Sequence, residues 1–285
     1  MHLIDNKYSP QYWQVASLSR PSDLAVSETQ TACPASQVAT TPVETISADR
    51  TAEHAAGRLE RDGFDAAPVA DDGPTRFVTL AALHNADPET EVRDVASPIT
   101  LTDTLSADAP YASVVDALRD QSVYFLGGRH GVTGIVTRAD LNADVSRLHL
   151  FSRISVLERR LRRLLVEADV TLDSLTIPPA VIEDVDDRHR TAKRANVELD
   201  RVHYAQFSTL VAAVTDVERC WAACGYDSAH HASSRLGEIT DLRNDVAHAT
   251  PIVQNTDSAE IGRGRTVGNL ADCYTEIETV VAELG

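Results

Sequence analysis

Thr45-Ile46-Ser47-Ala48-Asp49 recurs as Thr104-Leu105-Ser106-Ala107-Asp108, and this recurrence decides the reading of the N-terminal half. Arg61-Asp62 recurs as Arg119-Asp120, and Val78-Thr79-Leu80-Ala81-Ala82-Leu83 as Val136-Thr137-Arg138-Ala139-Asp140-Leu141. The first block is displaced by 59 residues and the other two by 58. Three blocks keep step through one single-residue slip, so two copies of one supersecondary unit are expected to pack together. The copies differ where chemistry would sit: Ala82 in the first answers to Asp140 in the second.

Around these blocks each repeat reads strand, helix, strand, strand, helix, with the repeats at about 40–88 and 96–145. In the first, Ala52, Ala55, Ala56 and Leu59 mark a helical face closed by Gly63, with Asp49 or Thr51 as its cap. Ala66-Ala67-Pro68-Val69-Ala70 reads as a strand, Asp71-Asp72-Gly73 as a turn and Phe77-Val78-Thr79 as the returning strand. In the second, Pro110 opens a helix with Val114, Val115 and Leu118 on one face. Val123-Tyr124-Phe125-Leu126 follows as a strand, Gly127-Gly128 begins a turn, and Val132-Thr133-Gly134-Ile135-Val136 returns.

Residues 1–38 show no steady period and carry Pro10, Pro21 and Pro34 among Ser, Thr and Gln. They read as an extended arm whose Tyr8, Tyr12 and Trp13 dock its start. Beyond 145 the pattern turns helical. Leu150, Ile154, Leu157, Leu161, Leu164 and Leu165 mark one face of a long helix, with Arg159, Arg160, Arg162 and Arg163 mostly on the other side. Pro178-Pro179 and the acidic run 183–187 are expected to interrupt. Helical stretches are expected again at about 188–224, 229–249 and 266–284. The fold class is α+β: paired mixed α/β repeats at 39–145, then an all-α domain at 146–285.

The 285 residues leave room for two cores. Net charge is −17, Asp outnumbers Glu by 27 to 16, and only Lys7 and Lys193 are lysines against 24 arginines. This Asp- and Ala-rich, Lys-poor composition resembles proteins of salt-loving archaea, whose surfaces must stay hydrated in concentrated salt. The acidity then reflects solvent more than partner, and screening in such salt means that any nucleic acid must be held by close contacts. No run of about 18 apolar residues occurs, and the start lacks a secretory pattern. Cys33, Cys220, Cys224 and Cys273 do not form a disulfide framework. A cytoplasmic protein with no membrane partner is expected.

Gly134-Ile135-Val136-Thr137-Arg138-Ala139-Asp140-Leu141 resembles the ligand-binding element of the CBS domain family, and the duplication resembles that family's tandem pair, over about residues 40–145. A Thr hydroxyl and backbone N–H groups at a helix start can receive a phosphate, and an Asp one turn on can accept two hydrogen bonds from a ribose diol. The resemblance implies a regulatory adenine nucleotide (AMP, ADP, ATP or a relative). It sets Thr137 at phosphate and Asp140 at ribose, with Gly134 in the same element and Val123 and Tyr124 on the base-binding strand. The first repeat keeps Thr79 but has Ala82, so one site per chain is expected, in the second repeat.

Arg243-Asn244-Asp245-Val246-Ala247-His248 is the other candidate, on a helix marked by Leu236, Ile239, Leu242 and Val246 and stopped ahead of Pro251. Here the chain resembles the HEPN superfamily, helical bundles whose active members are metal-independent ribonucleases. The resemblance makes His248 a general acid or base, Arg243 a stabiliser of charge on the scissile phosphate and Asn244 an orienting group. A separation of five residues sets Arg243 and His248 about 140° apart on a regular helix, and the family's answer is a homodimer in which two motifs meet. The bland alternative pairs Arg243 with Asp241, Asp245 or Glu238 and leaves His248 at a favourable helix C-terminus.

Two weaker signals remain. Arg153, Arg159, Arg160, Arg162 and Arg163, with Arg188, Arg190, Lys193 and Arg194, form basic clusters that either track a phosphate backbone or are solvated helix faces. Cys220, Cys224, His230 and His231 include zinc-type ligands but read as core, and no metal is expected. The function that follows is nucleotide control of a dimeric ribonuclease acting on RNA. The alternative is a non-catalytic adaptor whose helical half dimerises or binds a protein partner.

Overall fold

The computed structural model describes residues 33–70, 75–128, 131–254 and 264–285. The chain enters at α1 (Ala35–Val38), then forms β1 (Ile46–Ser47), α2 (Ala52–Asp62), β2 (Ala66–Ala70), β3 (Arg76–Thr79), α3 (Leu80–Asn85), α4 (Val92–Val95) and β4 (Ser97–Pro98). The second repeat supplies β5 (Thr104–Ser106), α5 (Tyr111–Asp120), β6 (Val123–Gly128), β7 (Gly131–Thr137) and a 3-10 turn (Arg138–Asn142). α6 (Asp144–Glu167), α7 (Pro179–Arg194), α8 (Phe207–Asp216), α9 (Glu218–Ala223), α10 (Ala229–Ala247) and α11 (Val267–Glu283) complete the helical half.

The duplication is visible in the pairing. β1 lies parallel to β2 and β5 parallel to β6, and β2–β3 and β6–β7 are antiparallel. Local chemistry sets the elements: Thr51 Oγ1 caps α2 through the His54 N–H, and Gly63 ends it at φ 72°, a left-handed cap that favours glycine. Asp71, Asp72 and part of the second repeat's turn lie outside the described residues, as do Gly73, Tyr8, Tyr12 and Trp13.

The repeats exchange their leading segments. In the first sheet Ser97 pairs with Phe77. In the second, Thr40 pairs with Ile135 across mutual N–H···O bonds of 2.9 and 3.2 Å. Val92 and Arg93 donate to the Arg50 and Ala48 carbonyls, and Ala35 and Ser36 donate in the same way to Ala109 and Ala107. Residues 33–40 therefore complete the second repeat. The boundary of an extended arm at 38 is corrected: Cys33, Ala35 and Val38 are buried. A four-residue helix and a one-residue bridge have no period to read, yet Val38-Ala39-Thr40 matches Val95-Ala96-Ser97 at an offset of 57.

Two cores result. Ile46, Ala52, Ala55, Leu59, Val69, Val78 and Leu83 close a small core inside the first repeat. Val114, Leu118, Leu126, Val136 and Leu141 instead share one continuous core with Leu150, Leu157, Leu210, Leu236, Leu242 and Ile277. The acidic run 183–187 does not interrupt: it lies within α7, which begins at Pro179. Proline suits that first position, and Arg188 pairs with Asp184 one turn back. The expected helix at 188–224 is α7's end, a 3-10 turn (Arg201–Tyr204), α8 and α9. Among the described residues no helix is long and apolar enough to cross a membrane.

Candidate functional site

Asp140 sits one turn past Thr137, where β7 gives way to the 3-10 turn. Its Oδ2 accepts from the Thr137 N–H at 2.7 Å and the Thr137 hydroxyl at 2.9 Å. Thr40 reaches Oδ1 from the exchanged segment at 3.5 Å. Burial raises the carboxyl above its ordinary range, against the lowering effect of these three hydrogen bonds. Oδ1, with one long contact, keeps capacity for a further donor. In the first repeat Thr79 Oγ1 caps α3 through the Ala82 N–H at 3.1 Å, and Ala82 has no side-chain acceptor to offer in return.

Thr40 also lines a mostly apolar slot, with Val43, Thr45, Ile46, Phe64, Ala66, Ala67 and Ile135. Arg58 closes over it, donating to the Thr45 carbonyl at 3.1 Å and Glu44 at 3.0 Å. The slot holds only about 20 Å³, so a purine enters only when its walls part. Gly134, Thr137, Asp140, Val123 and Tyr124 all stand outside the slot's lining, and the lining residue bonded to Asp140 is Thr40. Val123 and Tyr124 pair with Thr137 and Val136, and Tyr124 is buried in the common core. The apolar wall comes from β2 of the other repeat, a non-local partner. Gly134 serves backbone approach, since a Cβ there would stand 2.5 Å from Thr41 Cγ2 and 3.1 Å from the Thr40 carbonyl oxygen.

The turn that carries Asp140 is bonded to the helical half. Asn142 Oδ1 accepts from Ile252 and Val253 N–H at 2.7 and 2.9 Å, and its Nδ2 donates to the Val253 carbonyl at 2.9 Å. Arg147, early in α6, donates to the Asp245 carbonyl at 2.9 Å and the Thr250 carbonyl at 3.0 Å. The Asn142 bonds hold 252–253, and the Arg147 bonds reach the C-terminal end of α10, at Asp245 in its last turn and at Thr250 in the segment just beyond it.

That end carries the second motif. Arg243 is half-buried on α10, and among the described residues its only bond is a 3.5 Å contact with Asn244 Oδ1. The alternative pairing of Arg243 with Asp241, Asp245 or Glu238 does not form among the described residues: Asp245 holds Arg265 at 2.7 Å, and Glu238 faces Arg235. His248 is the exposed C-cap residue of α10. Arg243 and Asn244 line a polar cleft together with Arg162, Arg188, His203 and Tyr204, and His248 does not.

Much of the basic cluster on α6 serves structure. Arg153 is buried and forms a two-pronged pair with Glu278 at 2.6 and 2.7 Å. Arg160 and Arg163 donate to the Leu284 carbonyl at the end of α11. Cys220 and Cys224 are buried, and burial pushes the Cys224 thiol up to about 12, far from the thiolate that a metal binds. Among the described residues no group of three His, Cys, Asp or Glu side chains is placed to hold a metal ion.

Residues 35–89 match the CBS domain family, a span that takes in the first repeat with the exchanged α1. No curated protein matches the chain. Among solved structures the chain is similar to AcuB from Vibrio cholerae, at 15% identity and TM-score 0.36 over 39% of this chain and 87% of that one. It is also similar to a CBS domain-containing protein from Bacillus anthracis, at 18% identity and TM-score 0.35 over 40% and 92%. A third is a CBS domain pair in complex with 5-methylthioadenosine and S-adenosyl-L-methionine, at 18% identity and TM-score 0.35 over 41% and 95%.

Proposed function

We propose that this chain is a regulatory sensor of an adenine nucleotide (AMP, ADP, ATP or a relative) whose helical half responds to the bound ligand. The observation that supports it most is the bonding of Asn142 and Arg147 to the C-terminal end of α10 and to 252–253. Four features fit the ligand: a mostly apolar slot, a carboxylate with a free acceptor position, a neighbouring Thr hydroxyl, and a mouth held by Arg58 through Glu44 at 3.0 Å and Asp62 at 3.6 Å. Because the slot must widen on entry, the ligand favours the open arrangement, and that differential affinity is what a switch requires.

In this reading the helical half acts on RNA as a HEPN-like homodimer, with Arg243, Asn244 and His248 of two chains forming a metal-independent centre. His248 moves the proton of a ribose 2′-hydroxyl or of the leaving oxygen, Arg243 faces the phosphate charge, and Asn244 orients Arg243. A second reading, a non-catalytic adaptor, is favoured by His248 lying outside the cleft that Arg243 and Asn244 line.

Calorimetry with AMP, ADP and ATP tests the sensor: Asp140→Ala should weaken binding at least tenfold, and unchanged affinity removes Asp140 from the site. Incubation with RNA in EDTA tests the helical half. Cleavage lost in both Arg243→Ala and His248→Ala, with folding retained, supports the nuclease. Absence of cleavage in every nucleotide condition supports the adaptor.

A further inference from the structure

The cleft beside Arg243 is the roomiest cavity among those described, at about 620 Å³, within the range of small-ligand sites. It gathers Arg162 from α6, Arg188 from α7 and Arg243 from α10 against a single carboxylate, Glu158. On a chain of net charge −17 such a concentration of cations is a local reversal of sign. Arg162 is held in place by Glu158 and by the Ala205 carbonyl at 3.1 Å, and its Nε is buried with no acceptor. Arg188 pairs only with exposed Asp184, at 2.8 Å. Arg243 pairs with no carboxylate among the described residues.

The start of α8 forms part of the same wall. Gln206, at its N-cap, makes no side-chain bond to the helix, and Gln206, Phe207 and Ser208 all line the cleft. The first turn of a ten-residue helix, with open N–H groups and the positive end of its dipole, thus borders the cleft that three arginines line. His203, Tyr204 and Asn244 add neutral polar groups. Planar arginine forks beside backbone N–H groups match tetrahedral phosphate oxygens.

We infer that this cleft binds the phosphate group of a nucleotide or of an RNA strand within a single chain, with Arg188 and Arg243 as its two charged jaws. The site is separate from the slot beside Asp140. It shares Arg243 with the proposed ribonuclease centre but needs neither His248 nor a second chain.

Calorimetry on the full chain with pyrophosphate and, separately, with a five-residue oligouridylate tests this, using wild type, Arg188→Ala, Arg243→Ala and, as a control outside the cleft, Arg235→Ala. Pyrophosphate binding that falls at least tenfold in both jaw variants and not in Arg235→Ala supports the inference, with a free phosphate as ligand. Oligouridylate binding with the same loss, without pyrophosphate binding, supports it with a phosphodiester as ligand. Binding of neither probe, or a loss in only one jaw variant or in none, overturns it. Circular dichroism confirms that each variant is folded. Phosphate binding without any RNA cleavage would sink the ribonuclease reading and leave this one standing.

Discussion

Leu59 and Leu118 hold the same place in the two repeats, and both are almost wholly buried, yet they sit in different cores. Leu59 packs among Ala52, Ala55, Val69 and Val78, a small and alanine-rich cluster. Leu118 belongs to the core that runs on through α6, α10 and α11. Phe77 and Phe125, 5.1 Å apart, bring the two sheets together, and the exchanged segments stitch the repeats reciprocally. The difference lies downstream: only the second repeat is followed by a chain that returns to pack against it. The slot draws its lining from both, with Ala66 and Ala67 of the first repeat and Ile135 of the second, and the proposed sensor would move the first copy against the anchored second.

The sharpest way to break this comparison is to damage each core in turn. Leu118→Ala and Leu59→Ala should each cost roughly 2–5 kcal/mol. Leu118→Ala should lower hydrogen-exchange protection in α10 and α11 as well as in its own repeat, and Leu59→Ala should leave the helical half protected. Equal loss in the helices from both variants would mean that the two cores are one cooperative unit.

Asn142→Ala attacks the joint itself. It strips partners from the Ile252 and Val253 N–H groups, next to buried side chains, at about 1–3 kcal/mol for each group left unsatisfied. Denaturant unfolding should show that loss, while nucleotide affinity should stay near wild type because the Asn142 side chain is committed to 252–253, whereas it is Asp140 that bonds slot-lining Thr40. Gly134→Ala should cost about 1–3 kcal/mol through overpacking against Thr40 and Thr41. It should also weaken nucleotide binding, since Thr40 both lines the slot and reaches Asp140.

The fold was legible where it is local and periodic. The repeat offset, the Gly63 cap and the long α6 face were all readable, and the N-cap was narrowed to Asp49 or Thr51, because each depends on neighbours a few residues away. The exchange of 33–40 was not, since its partners, Ala107, Ala109 and Ile135, lie some 70 to 95 residues downstream. For the site, Thr137 and Asp140 were singled out as ligand contacts by resemblance, but the capping box in which they bond to each other was not foreseen. The slot's wall was not: Ala66 and Ala67 belong to the other repeat, and no local pattern links them to Asp140. Arg188 and Arg243 were each visible as charges, but only the packing of α7, α8 and α10 puts them in one cleft.

A pH titration sharpens the comparison more gently. Burial raises the Asp140 carboxyl, and a ribose diol donates to the ionised form, so affinity should be full at neutral pH and fall as pH drops through that raised value. Adenosine is the proper probe because it carries no titrating phosphate. Loss should begin above the pH at which an ordinary aspartate, near about 3.9, takes up its proton. Loss only at or below that pH would place the diol elsewhere. The smallest effect belongs to the mouth of the slot: Glu44→Ala removes one exposed ion pair, worth about 0–1 kcal/mol. Adenosine affinity should rise by no more than about fivefold.

In the proposed sensor a ligand beside Asp140 is felt at the end of α10 through Asn142 and Arg147. Hydrogen exchange of the backbone amides from 245 to 253, measured with and without a saturating adenine nucleotide, tests it most directly. A change in protection on binding in the wild type, absent from Asn142→Ala at equal saturation, is the predicted result. Unchanged exchange in the wild type with nucleotide bound would contradict it.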